Sequence, residues 1–413
     1  MQEILNKIKP SKEEQNKLQK LVSTFIKKLN SNLKDAKATL GGSGAKDTWL
    51  SGNHDIDIFV QFDYQKYKDQ STSLSELLEK SIKKSFPKIK IERLHGSRDY
   101  FQINHQDYVF EIVPVLKIIK MEQALNITDI SPLHSVWVNK HTKKIKDDIR
   151  LAKQFCRANN LYGAESYLSG FSGYVLEILI AYYGSFQKLL KESQKWKLKQ
   201  VIDPEKYYPT KNVFFELNKS KLQSPLIIID PVDKDRNASA ALSLEKFKLF
   251  QKKAKLYLKN PNVSLFEKEE ISYDQLKTKT KKGHLVFFSA IVKKNKEDVM
   301  GYKLLKSFQF LKRELEVFGV KESGWDWDHK KTATIYFILN NNELSEYEFR
   351  QGPPIKLKEF VKNFKKKNKD TFTKNGKLFA KIKVKYPQLD DFVNNFIKNE
   401  YLNDKQVRIK QVR

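Results

Sequence analysis

Cysteine occurs once in the 413 residues, at Cys156. A single thiol excludes a disulfide within the chain and any cysteine-rich zinc site, and it suits a reducing cytoplasm. Long apolar runs are also missing: none approaches the roughly 20 residues that span a bilayer. The opening MQEILNKIKPSKEE lacks the apolar centre of a signal peptide. The expectation is a soluble, cytoplasmic protein with no membrane partner. Acidic residues are scarce, 49 Asp plus Glu against 78 Lys plus Arg, a formal net charge of +29. That balance favours a polyanion such as nucleic acid as partner. A lysine bias spread along the chain produces the same sum, so charge alone leaves both readings open.

The length allows two or three domains, each able to bury a core unaided. Ser11 with Glu14 three positions later reads as a capping box, and Leu18, Leu21, Val22, Phe25, Ile26 and Leu29 follow at helical spacing. After a Gly-rich turn at Gly41 to Gly44, Asp55 to Phe62 reads as a strand, with further strands near Lys88 to Leu94, Tyr100 to Asn104 and Tyr108 to Val115. Leu74, Leu77, Leu78 and Ile82 mark a helix between them, and Asn104 to Asp107 a hairpin turn. Residues 1–142 are therefore expected to form a small mixed α/β domain. Residues 143–258 read as mostly helical, with Ile145, Ile149, Ala152, Phe155 and Cys156 on one face and Val175, Leu176, Leu179, Ile180 and Tyr183 on another. Residues 259–413 alternate strand-like runs (His284 to Val292, Thr334 to Leu339) with helices around Leu304 to Phe318, Leu357 to Phe364 and Leu389 to Ile397. Gly319 suits the end of the first of those helices. The expected fold class is thus α+β and multidomain: a mixed-sheet domain, a helical central domain and an α+β tail. The one low-complexity stretch, Val361 to Tyr386, holds ten Lys and one Asp.

Residues i and i+2 of a strand face the same side, so Asp55 and Asp57 project together while Ile56 and Ile58 point to the core. Two carboxylates so close repel unless a cation lies between them. Hard oxygen donors suit Mg²⁺, which binds through one or two carboxylates plus substrate phosphates. Phosphoryl transfer uses such ions to neutralise the triphosphate and hold the reacting groups in line. A polar strand face is the ordinary alternative for an isolated pair of this kind. Two neighbours alter the balance. Gly41-Gly42-Ser43-Gly44 lets the backbone approach a ligand closely and aims N–H groups and the Ser43 hydroxyl at phosphate. Glu111, bracketed by apolar residues in a strand that can lie beside the Asp55 strand, demands a partner or a metal.

Asp55 follows Ser43 by twelve positions and a third strand carboxylate comes later, a pattern that resembles the DNA polymerase β-like nucleotidyltransferase superfamily. The longer run GGSGAKDTWLSGNHDIDIFVQF resembles the signature of the archaeal, class I CCA-adding tRNA nucleotidyltransferases. SPLHSVWVNKH at 131–141, RLAKQFCRANNLYGAESYLSGFSGYVLEILIAYYGSF at 150–186, IIIDPVDKDRNASAALS at 227–243 and RQGPPI at 350–355 resemble that family's blocks, in order.

The resemblance implies a palm-like catalytic domain and template-independent addition of C, C and A to a tRNA 3′ end from CTP and ATP, releasing pyrophosphate. It implies that Asp55, Asp57 and Glu111 hold two Mg²⁺ ions and that Ser43 and Lys46 line the nucleotide pocket. Where the family usually has Arg this chain has Lys46, which keeps the charge without the bidentate fork. Where it usually has Asp this chain has Glu111, one methylene longer. His134, with Ser131 three positions before it, falls at a nucleotide contact. Lys153 and Tyr162 match positions that grip the triphosphate. Arg236 matches the residue that helps read the base, with an ion pair to Asp233 or Asp235 as a coexisting alternative. In the tail, Trp325 and Trp327 are either exposed surfaces for tRNA or core residues. A poly(A) polymerase or oligoadenylate synthetase shares the same centre. A basic RNA-binding protein without catalysis is the reading that the departures at Lys46 and Glu111 support. The oligomeric state stays open, a homodimer included.

Overall fold

The first long helix, Lys12–Asn30, begins where Ser11 accepts the Glu14 backbone N–H, and it buries Leu21, Val22, Phe25 and Leu29. Only half of the expected capping box forms. The Glu14 carboxylate instead accepts from Ser51 Oγ (2.8 Å) and Gly52 N (2.9 Å), tying down the loop before Asp55. In the computed structural model residues 1–53, 55–208, 212–280 and 283–412 are described. The chain divides into two units, Met1–Glu269 and Glu270–Arg413.

In the first unit, strands β1 (Ala36–Leu40), β2 (Asp55–Asp63), β3 (Ile91–Leu94), β4 (Tyr100–His105) and β5 (Tyr108–Lys117) form one sheet in the order β1-β2-β5-β4-β3. All neighbours are antiparallel except β2 and β5, which run parallel and are joined through the Leu74–Ser85 helix and the β3–β4 pair. The β4–β5 turn needs only Gln106 and Asp107, both with positive φ (51° and 65°), as a two-residue type I′ turn requires. Burial alternates along β2. Ile56, Ile58, Val60 and Phe62 enter a core with Phe25, Leu78, Ile82, Phe101, Phe110 and Ile112, while Asp55 and Asp57 take the other face.

The helical part packs Lys146–Ala158, Gly173–Tyr183, Phe186–Ser193 and Leu244–Lys259 around Phe155, Phe171, Leu176, Phe186 and Phe250. That core continues through Leu265 and Phe266 and also takes in Ile4 and Ile8 of the N-terminal Gln2–Ile8 helix. A small sheet of β6 (Gln200–Ile202), β7 (Leu226–Asp230) and β8 (Asp233–Asn237) lies within this part, its strands in that order.

The second unit holds a four-stranded sheet of β9 (His284–Val292), β10 (Val320–Trp327), β11 (Thr332–Leu339) and β15 (Val407–Gln411), ordered β10-β11-β9-β15. The Glu297–Leu315 helix packs on it through Leu304, Ser307 and Leu311, and Phe308 stacks on Phe337 at 5.6 Å. Gly319, at φ 74°, ends the short turn after that helix. Of the two readings left open for the tail tryptophans, Trp327 takes the core one: it is 4 % exposed and stacks on His329, while Trp325 is half-buried beside Phe308. The lysine-rich stretch is ordered structure. It supplies most of the Lys358–Lys367 helix and the β13 (Thr371–Lys374) to β14 (Lys377–Lys383) hairpin, which pairs with β12 (Tyr347–Pro354).

Candidate active site

The parallel register of β2 and β5 places Asp57 level with Glu111, and Asp55 level with Val109. Paired residues and residues two apart share a face, so the three carboxylates sit on one side of the sheet. Asp55 is exposed at the strand's start; Asp57 and Glu111 are half-buried. Among the described residues no three His, Cys, Asp or Glu side chains converge into a preassembled metal cluster. Glu111 Oε1 accepts from Gln102 Nε2 on β4 at 2.6 Å. Burial raises the Asp57 carboxyl above its ordinary range, Lys46 pulling against the rise and Asp55 adding to it. Hard oxygen donors on one face, with a desolvated acid among them, fit a divalent cation of the Mg²⁺ kind.

The Gly-rich segment is more than a turn. Gly42–Lys46 forms a short helix that begins at Gly41, with Ser43 in its first turn. Gly42 has φ +53°, and a Cβ there would collide with the Asp57 carboxylate; one on Gly41 would come within 2.6 Å of the Phe59 ring. The glycines are required because the backbone of this helix lies directly against the acid-bearing strand. Asn139 Nδ2 donates to Ala45 O (3.0 Å), and Arg150, 2 % exposed, donates to Trp49 O, Asp47 O and Asp47 Oδ1. Asn139 thereby holds the short helix itself, and Arg150 the loop that joins it to β2.

Lys46 and Lys153 meet at a residue that motif reasoning passed over. Glu177, wholly buried in the Gly173–Tyr183 helix, accepts from Lys46 Nζ at 2.6 Å, Lys153 Nζ at 2.8 Å and Thr48 Oγ1 at 2.7 Å. Burial by itself would raise its carboxyl, but Lys153 and Lys46 outweigh it and bring it down to about 2. Tyr162 lies beside this group: a Cβ on Gly173 would fall 2.8 Å from its hydroxyl and 3.5 Å from Lys153 Cε. Burial raises the Tyr162 phenol, and the Arg157 guanidinium stacks on its ring at 4.9 Å. The signal for Glu177 was an acid inside the apolar run YVLEILIAYY.

The second group gathers on Asp230, also fully buried. Its Oδ2 accepts from Arg236 Nη1 (2.8 Å) and lies 3.2 Å from His134 Nε2; its Oδ1 accepts from Tyr174 Oη (2.9 Å). This corrects the expected partner of Arg236, which is neither Asp233 nor Asp235; strand β7 delivers Asp230 while Asp235 bonds Tyr208. Burial pushes the Asp230 carboxyl up, and His134 and Arg236 bring it below the usual range. His134 and Arg236 stand 3.4 Å apart, and His134 stacks on Tyr174 at 4.1 Å. Ser131 is half-buried one turn before His134 on the Ser131–His141 helix. Tyr174 joins the two groups, since Lys46 Nζ lies 5.8 Å from its ring centre.

A mixed sheet with paired acids on one face, a glycine helix against them and cations opposite is the fold and site of a nucleotidyltransferase. Family models agree: one described as "Nucleotidyltransferase domain" matches residues 22–122 and one described as "tRNA nucleotidyltransferase, second domain" matches 147–267. A third, "CCA-adding enzyme, C-terminal domain", matches 286–409. The CCA-adding enzyme of Nanoarchaeum equitans is 36 % identical over 94 % of this chain and 96 % of its own length. That of Methanocaldococcus jannaschii is 31 % identical over 98 % of this chain and 91 % of its own. A solved structure of the Cid1 poly(U) polymerase shares the fold at TM-score 0.51 and 14 % identity, over 65 % of this chain and 97 % of that one. The chain belongs to the family of CCA-adding enzymes. No helix among the described residues is long and apolar enough to cross a membrane.

Proposed function

We propose that this protein is a CCA tRNA nucleotidyltransferase, adding C, C and A in turn to a tRNA 3′ end from CTP and ATP with release of pyrophosphate. The observation that carries the reading is near-full-length similarity to several archaeal CCA-adding enzymes, continuing through the C-terminal region. Residues 1–142 act as the catalytic domain, 143–258 as the helical nucleotide-binding domain and 259–413 as the basic region that holds tRNA. Asp55, Asp57 and Glu111 would hold two Mg²⁺ ions, which would supply neutralisation of phosphate charge and a lower pKa for the attacking 3′ hydroxyl. Ser43 meets the phosphates from the first turn of its short helix. Lys46 and Tyr162 grip the triphosphate as hydrogen-bonding donors, and Lys153 acts on it through its charge. Arg236 and His134, with Ser131 one turn away, address the base edge; Asp230 fixes the guanidinium that no template strand replaces. The protein works in the cytoplasm, as a monomer or a homodimer.

Purified protein with Mg²⁺, CTP, ATP and a tRNA lacking its CCA end tests this directly. Growth by three nucleotides that starts only with CTP is the expected result. Unlimited extension with ATP alone would mark a poly(A) polymerase, and no growth under any condition would sink the assignment.

Two variants refine the site. Arg236→Ala is expected to raise misincorporation of UTP or GTP and to lower CTP use roughly tenfold to a hundredfold, the range of one lost buried charge-assisted contact. Single-turnover assays with each nucleotide read both effects. Glu111→Asp shortens the third carboxylate to the length the family usually carries. Its rate, compared with the parent over a Mg²⁺ titration, is expected to change by less than about fivefold, because Gln102 holds the parental carboxylate in register with Asp57. A gain of orders of magnitude would instead mark the parental centre as compromised.

A further inference from the structure

We infer that Glu177 is a positioning residue for the polyphosphate end of the nucleotide: a buried carboxylate that sets the spacing of the two ammonium groups serving the phosphates. The inference rests on the reading above that Lys46 and Lys153 face the triphosphate. Glu177 sits on a helix beside Val175, Leu176, Ile178 and Leu179, all buried, where an unpaired carboxylate is costly. A structural ion pair would satisfy it with one lysine from its own neighbourhood. It takes two, from segments about a hundred residues apart in the chain. Lys46 and Thr48 come from the segment before β2; Lys153 and Glu177 come from the helical part.

The hydrogen bonding leaves little freedom. Oε1 accepts from Lys153 Nζ and Thr48 Oγ1, and Oε2 accepts from Lys46 Nζ. Lys153 gives its other two N–H groups to Thr48 O (3.2 Å) and Thr48 Oγ1 (2.9 Å), so all three donors of that ammonium are fixed within the protein. It therefore acts on a phosphate through its charge at a fixed place, whereas Lys46 gives only one N–H to Glu177. Lys46 is therefore the ammonium with N–H groups left to give to a phosphate, and Glu177 fixes where it stands.

Glu177→Gln preserves the shape and removes the charge; Glu177→Asp keeps the charge and withdraws it by one methylene. In the full chain, the KM for CTP and for ATP is expected to rise about tenfold in Glu177→Gln, by the same factor for both, because the effect lies on the phosphates and not the base. The kcat should change by less than about threefold, the KM for tRNA should not move, and Glu177→Asp should fall between parent and Gln variant. Binding of inorganic tripolyphosphate, read by calorimetry, should weaken by the same tenfold. A variant that melts earlier while KM and tripolyphosphate affinity stay at parental values would overturn the inference and leave Glu177 a core ion pair. Should Glu177→Gln not fold, Glu177→Asp carries the test, and an unchanged KM there has the same consequence. Calorimetry needs no catalysis, so the two readings separate. Weaker tripolyphosphate binding in a protein that adds no CCA supports the inference and sinks the assignment, and unchanged binding in an active enzyme does the reverse.

Discussion

Replacing Asp57 with alanine is expected to lower nucleotide addition by at least about a thousandfold, since metal-assisted charge stabilisation is worth several kcal/mol and each ~1.4 kcal/mol is tenfold in rate. Asp57 sits at the centre of the carboxylate set, with Asp55 two residues away on the same face and Glu111 level with it on β5. Affinity for tRNA, measured by filter binding or fluorescence anisotropy, is expected to stay within about twofold, because the loss is confined to a few atoms on the sheet face. Stability gives a second, opposite reading. Burial raises the Asp57 carboxyl in the folded chain. An acid whose folded value lies above its unfolded one weakens the fold at pH above the ordinary carboxylate range. The alanine variant is therefore expected to melt no lower than the parent at neutral pH in metal-free buffer. Activity retained within tenfold would place the metal-binding acids elsewhere.

Gly42→Ala is the second variant with a large expected effect, though it removes no functional group. Its φ of +53° costs a non-glycine residue about 1–2 kcal/mol, which a thermal melt should register as a modest loss. The added Cβ also falls onto the Asp57 carboxylate, which has to move. Displacement of a reacting group by about 1 Å can cost roughly a hundredfold in rate. A fall in kcat of that order, with the KM for tRNA unchanged and the protein still folded, is the expected outcome. If activity falls only in proportion to the folded fraction, the glycine serves the turn and not the acid.

How much of this centre was legible beforehand depended on how local each contact was. The alternation of Asp55-Ile-Asp-Ile is a short-range pattern and reads directly as a strand with acids on one face. Ser11 likewise announces its helix through a bond to a residue three positions on. The Glu14 side chain was less legible, because its true partners, Ser51 and Gly52, lie 37 and 38 residues away. Glu177 escaped for the same reason: its lysines are 131 and 24 residues distant, so only its misfit within an apolar helix betrayed it. Arg236 had three nearby acids, and spacing could not choose among them; the burial of β7 did, by making Asp230 the one acid that needed a cation most. In the second unit the strand β10, the sequence Val-Lys-Glu-Ser-Gly-Trp-Asp-Trp, alternates poorly and was not read as a strand. Pairing with β11, broken only by a register shift at Lys321, stabilises it where its own propensity does not.

The parallel pairing of β2 with β5 also bears on how the protein is made. Residues 64–107 intervene between the two strands, and the sheet order puts β5 between β2 and β4. Contacts that close so long a loop form late and slowly compared with hairpins such as β4–β5, which a two-residue turn nucleates. During synthesis the two aspartates leave the ribosome well before the strand carrying Glu111, so a nascent chain holds both with no completed face to present them. Metal affinity should therefore arise in one step, when β5 docks, and nucleotide affinity only later, once the segments carrying Lys153 and Arg236 have joined the fold; a chain arrested before Lys117 should bind neither.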